Sequence, residues 1–224
     1  MLKQDEDGNC TINRIGTRAF NSRKIPGAFS VPSSVTQIDE WAFYGLETNT
    51  LNIHENVHLG NYCFHSSKIS NLNVETVHFD GVSIFNSCSG FTSVELPEGL
   101  RAIPDGTFSG NSLITMTLPD SIETIGTEAF TNNKNLVSFV IPEKVESIGR
   151  SCFRGCVLLG DITSLAPIAP ALAESVFGET SVNYTGINAA TKTLTVPSNA
   201  TGYDKGDWDS VLQDKVGFTL IENT

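Results

Sequence analysis

No long apolar run exists in this sequence. Its hydrophobic stretches last only a few residues, far short of the ~20 apolar residues that a membrane-spanning helix requires, so no membrane insertion by this segment is expected. Positive charge is scarce. Lys and Arg together number 14 against 25 Asp and Glu, a net charge of −11 over 224 residues. So acidic a chain repels phosphate backbones, which excludes nucleic acid as a partner. The opening MLKQDEDGN lacks the apolar core of a secretory signal, so an exported protein would be present here in processed or trimmed form. Cysteine is sparse and odd in number, at five, in a chain too long to need disulfide staples. Also missing are G-x-S-x-G, a P-loop and a dinucleotide-binding glycine fingerprint. Acidic residues such as Asp105, Asp120 and Glu143 are scattered over turns and read as solubilising surface. No enzyme activity, resident cofactor or metal is expected.

One stretch argues the other way. Residues 54–58 read HENVH, which matches the H-E-x-x-H signature of zinc hydrolases. There the two His share one helix face and the Glu acts as general base. The remote zinc-hydrolase reading through His54, Glu55 and His58 therefore depends on a helix.

Internal repetition answers that point. The pattern P-x-x-V-x-x-I-G-x-x-A-F recurs as PSSVTQIDEWAF (32–43), PEGLRAIPDGTF (97–108), PDSIETIGTEAF (119–130) and PEKVESIGRSCF (142–153). Its terminal Phe falls at Phe20, Phe43, Phe64, Phe85, Phe108, Phe130, Phe153 and Phe177. Units of 21–24 residues fall in the leucine-rich-repeat range. After each Phe come a polar turn and an alternating x-Φ-x-Φ-P piece, such as SVELP (93–97), TMTLP (115–119), SFVIP (138–142) and TLTVP (193–197). Period-two alternation predicts strands with one buried face. The buried pairs would be Phe29/Val31, Leu51/Ile53, Leu72/Val74, Val94/Leu96, Met116/Leu118 and Phe139/Ile141. The V-x-x-I-G segment predicts a second extended piece, and A-F a short helical turn. No unit can bury its own apolar side chains, so units must stack, Phe on Phe, into a rod of roughly 40 Å.

In this register HENVH aligns with Pro97 to Arg101. His54 takes the strand-ending Pro position, and Val57 is the inward residue. The segment is predicted to be a turn entering a strand, where two His four apart do not converge on one ion. His78 stands in register with His58, roughly 5 Å away on the next rung. Asp80 occupies an apolar position, so Phe79 is expected to turn inward with local irregularity at 77–84. Cys63 and Cys152 replace the small residue before Phe, while Cys88 and Cys156 lie three residues after it. Ladder packing explains these four; Cys10 is unexplained.

From about residue 165 the register loosens. Residues 1–164 are expected to form the solenoid. Residues 165–224 are expected to form a terminal repeat and cap in the same structural domain. Ser198 is a candidate N-cap for a short helix carrying Tyr203, Trp208, Val211 and Leu212. The alternative to a cap is a carbohydrate platform built from Tyr203 and Trp208.

P-x-x-V-x-x-I-G-x-x-A-F followed by L-x-x-Φ-x-Φ-P resembles the BspA-like leucine-rich repeat. The ending APIAPALAESVF…TLTVPSNATGYDKGDWDSV is similar to the terminal unit of its gut-bacterial members. The resemblance covers roughly 9–213. It implies a mainly β, right-handed solenoid of about eight units with parallel ladders, at a bacterial cell surface or outside the cell. It also implies a monomeric adhesion or binding module for a host or matrix protein or a glycan, and it supplies no catalytic residues. The strand face presents small polar groups suited to hydrogen bonding. Its candidate ligand residues are Asn52, Asn71, Asn73, Glu95 and Thr117. A structural spacer within a larger surface protein is the alternative.

Overall fold

The computed structural model describes residues 2–4, 10–178, 189, 191–212 and 217–223. Most alternating pieces and each V-x-x-I piece add one short strand to a wall. The first wall holds β4 (Ala28–Ser30), β6 (Glu47–Ile53) and β8 (Lys68–Val74), then β12 (Ser138–Ile141), β14 (Asp161–Ser164), β16 (Thr193–Val196) and β17 (Thr219–Glu222). The second wall holds β3 (Arg14–Ile15), β5 (Gln37–Ile38), β7 (Val57–Leu59) and β9 (Val77–Phe79). It continues with β10 (Ala102–Ile103), β11 (Thr124–Ile125), β13 (Ser147–Ile148) and β15 (Ala171–Leu172). Pairing within both walls is parallel and in repeat register, as in Thr50↔Asn71 and Ile125↔Ile148. An antiparallel pair, β1 (Leu2–Gln4) and β2 (Cys10–Ile12), precedes them. The side chain of Cys10 lies outside the described residues.

Between the walls runs the aromatic stack. Consecutive ladder Phe rings lie parallel, with centroids 5.0 Å apart for Phe20–Phe43 and 5.9 Å for Phe108–Phe130. The stack continues through Phe153 to Phe177. Burying each ring contributes on the order of 1.5–3 kcal/mol.

Three expectations are corrected. The A-F segment is not a helical turn. Residues two before and two after the Phe adopt left-handed φ, as at Trp41 (58°) and Gly45 (66°), and at Glu128 (56°) and Asn132 (61°). An α-helix needs every residue right-handed. This alternation instead sends N–H groups to the next unit, as from Phe43 to the Cys63 carbonyl (2.8 Å) and Gly45 to the His65 carbonyl (2.9 Å). The turns thus form a third ladder.

Second, neither strand wall is continuous. SVELP and TMTLP join no sheet and share only an isolated Glu95↔Thr117 bridge. No pairing links β8 to 93–97 or β9 to β10. The second-wall break coincides with a change in piece length, although the change from residues 35–38 to Val57–Leu59 leaves β5 and β7 paired. The second-wall pieces Val57-His58-Leu59 and Val77-His78-Phe79 are one residue shorter than Leu100 to Ile103. Phe79 does turn inward, pairing with Leu59 and packing on Phe85.

Third, the only helix among the described residues, α1 (Gly206–Leu212), begins after Tyr203. Tyr203 and Trp208 are buried. The Tyr203 hydroxyl donates to the Ala166 carbonyl (2.9 Å) and pairs with Ser164 Oγ; Trp208 Nε1 donates to the Pro170 carbonyl (2.7 Å). Phe177 packs on Trp208 and Phe218. Buried in this way, the two rings close the last rung and offer no carbohydrate platform. Most of the polar stretch 178–192 lies outside the described residues.

Candidate functional site

The step from the third to the fourth unit positions the candidate site. At its start the two rungs are tight. Ser89 donates to the Ser67 carbonyl (3.0 Å), and a Cβ on Gly90 would lie 2.2 Å from the Ile69 oxygen. Only glycine allows that approach. Beyond it the rungs part, leaving an open hollow of about 580 Å3 at the C-terminal ends of the first-wall strands. On its floor lie Leu72 and Val74, which are half-buried where their equivalents Leu51 and Ile53 are sealed.

Three of the five ligand residues expected from sequence line this hollow: Asn52, Asn73 and Glu95. Their order is fixed by the parallel register. Asn73 Nδ2 donates to Asn52 Oδ1 (2.7 Å), and Asn52 Nδ2 donates to Ser30 Oγ (2.9 Å). The row is polarised, so Asn73 Oδ1 is left as an acceptor at the broken end, beside Glu95 and Glu75. Asn71 is exposed and pairs with Thr50. Thr117, also exposed, bridges Glu95 from the far side. Neither lines the hollow.

HENVH is a turn at 55–56 leading into β7. His54 contacts two carbonyl oxygens, those of Pro32 through Nε2 and Glu55 through Nδ1, both at 2.9 Å. His58 Nδ1 instead pairs with Asp80 (2.6 Å), and its ring stacks on His78 at 4.3 Å. The helix that a zinc site needs is not formed, and no group of three potential ligands occurs among the described residues.

Sequence reasoning missed an aromatic cluster on the turn edge. Trp41 stacks on Tyr62 (4.4 Å), and Tyr44 stacks on His65 (5.6 Å). Burial lowers the His65 pKa, and its Nδ1 is buried without a partner. The signal was present: Trp41 and Tyr62 both stand two before Phe, Tyr44 and His65 both one after it. The cysteines are also more specific than small hydrophobes. Ser67, Cys88, Asn111, Asn133 and Cys156 each stand three after a ladder Phe and donate to the Phe carbonyl of the preceding unit.

Parallel short strands, a stacked Phe spine and an interrupted strand face define a leucine-rich-repeat solenoid. The family described as BspA type leucine rich repeat region matches residues 8–80 and 59–181, in six copies, and the chain belongs to that family. Among solved structures it is similar to a leucine rich cell surface protein of Faecalibacterium prausnitzii. There the identity is 21%, the TM-score 0.53, and the match covers 89% of this chain and 69% of that one. It is similar to the leucine rich repeat protein of T. pallidum at 21% identity and TM-score 0.58, covering 79% and 84% of the two chains. A leucine-rich repeat protein of Bacteroides ovatus is 25% identical with TM-score 0.54. That match covers 95% of this chain but only 46% of the other, so this chain spans under half of that protein. No curated protein matches the chain. No helix among the described residues is long and apolar enough to cross a membrane.

Proposed function

We propose that the protein is a non-enzymatic binding module working at a cell surface or outside the cell, with the hollow between the third and fourth rungs of the first wall as its ligand site. The supporting observation is the break in the first strand wall, which exposes half-buried Leu72 and Val74 beside Asn52, Asn73 and Glu95. The equivalent inward side chains of the preceding rung and of β12 are sealed, as at Leu51, Ile53, Phe139 and Ile141. An opening that combines apolar floor and convergent polar groups is the usual form of a recognition site. The proposed surface location is supported by the family and by the description of the F. prausnitzii relative as a cell surface protein.

A protein and glycan array tests this reading. Ligands captured by the native chain should be lost on Asn73→Ala with Glu95→Ala, while the melting curve stays unchanged. An array without captured ligands and with an intact fold would instead mark a structural spacer.

A further inference from the structure

We propose that the gap between the third and fourth rungs of the first wall is a pocket for a lysine or arginine side chain carried on an extended peptide. This deepens the binding-module reading and rests on it. Three independent features of the gap set the chemistry of its occupant.

The first is an apolar floor. Leu72 and Val74 on one side and Leu96 and Pro97 on the other line the opening. Residues 89–90 close its inner end against Ser67 and Ile69. Apolar surface below a polar rim suits a side chain with an aliphatic stem and a polar head, as lysine and arginine possess.

The second is a bias toward acceptors at the rim. The amide row ends with Asn73 Oδ1 facing the break, because Asn73 Nδ2 is committed to Asn52. Glu95 and Glu75 stand beside it, and no Lys or Arg lines the hollow. The one basic ring there, His54, turns its two nitrogens toward the carbonyls of Glu55 and Pro32, to one of which a neutral ring donates. A head group with several N–H donors and a positive charge matches this rim, and charge-assisted hydrogen bonds are the strong ones.

The third is the free strand edge. Glu75 donates its N–H to the Ile53 carbonyl. In a parallel ladder alternate residues face the same neighbour, so Asn73 faces β6, whereas the peptide groups of Leu72 and Val74 face the gap. No backbone hydrogen bond joins them to 92–97. Unpaired edge groups are a ready template for an extended main chain. That favours a peptide over a free cation.

An array of random 12-residue peptides provides the probe, with binding of selected hits then measured by fluorescence anisotropy. Hits are expected to be rich in Lys or Arg. Replacing the key basic residue by norleucine, which keeps the stem, should weaken binding about tenfold or more, as should Glu95→Gln in the protein. Glu174→Gln, an exposed carboxylate on another part of the chain, should leave it unchanged. Free n-butylammonium at matched concentration should not displace the peptide. The inference is overturned if no peptide binds, if norleucine serves as well as lysine, or if Glu174→Gln weakens binding as much as Glu95→Gln. The last result would mean diffuse attraction to an acidic protein. Displacement by butylammonium would also overturn it, assigning the gap to a free cation. The underlying reading is judged separately. Array ligands that need Asn73 and Glu95 but no basic residue leave that reading standing without this inference, and ligands indifferent to both residues remove the two together.

Discussion

One residue, three places after each ladder Phe, shows how much a single side chain carries in a stack of this kind. Asn133 bonds the carbonyls of both Phe108 and Phe130 (2.8 Å each) and accepts from Leu113 N. Asn133→Ala orphans the Phe108 carbonyl and Leu113 N, while the Phe130 carbonyl keeps Cys156 Sγ, and it should cost about 2–4 kcal/mol in urea unfolding. Asn111→Ala should cost less, because Asn111 bonds one carbonyl and its Oδ1 is already without a partner. At the same ladder position burial pushes the thiols of Cys88 and Cys156 from 9.0 up to about 12. Cys63 and Cys152 are also raised by burial. In a Cys10→Ser background all four should resist alkylation until the chain unfolds. The unfolded thiols ionise first, so the thiols' contribution to stability is whole below pH 9 and is lost as pH rises toward 12. Urea midpoints that stay flat from pH 9 to 11 would contradict this. The sequence showed these positions as a period of about 22. That they are donors to a neighbour's carbonyl was hidden, because Cys, Ser and Asn share no obvious property until the acceptor's position is known.

Among elements, the turn ladder is the one that pattern reading misjudged. I-G-x-x-A-F looks helical by spacing, yet the left-handed residues flanking each Phe direct its N–H groups outward to the next unit. Local propensity lost to stacking, since a ladder bond is available at every rung. The glycine of that motif has its own task. A Cβ at Gly149 would lie 2.4 Å from Thr127 N, while one at Gly16 would meet nothing within 4 Å. Gly149→Ala should therefore destabilise by about 1–3 kcal/mol, whereas Gly16→Ala should be near neutral, as read by thermal melts. HENVH was legible for the same reason that the turns were not. Its register with Pro97 to Arg101 fixed it as turn plus strand, with no need to know what it touched.

At the scale of the whole molecule, stability is shared along the stack but not evenly. Phe130 lies between two parallel rings and is fully buried, whereas Phe20 at the first rung is 37% exposed. Phe130→Ala should cost about 3–5 kcal/mol and Phe20→Ala clearly less, by equilibrium unfolding. The broken first wall should show in hydrogen exchange. The amides of Leu72 and Val74 are expected to exchange faster than those of β14 and β16, which are paired on both sides. Equal protection would mean that the gap is closed in solution. Of the five candidate ligand residues, sequence placed all on one strand face, because side chains alternate along a strand and the repeat period sets the register. It could not separate Asn52, Asn73 and Glu95 from Asn71 and Thr117. That depends on where two rungs fail to pair, which the repeat pattern alone does not specify. Sequence by itself determined the repeat, the buried Phe spine and the face each side chain occupies, since all three follow from local periodicity and the need to bury apolar surface. Only the tertiary structure decided where the ladder opens, which polar groups meet there and which way the turns run, because hydrogen bonds between units form only once neighbouring rungs are in place.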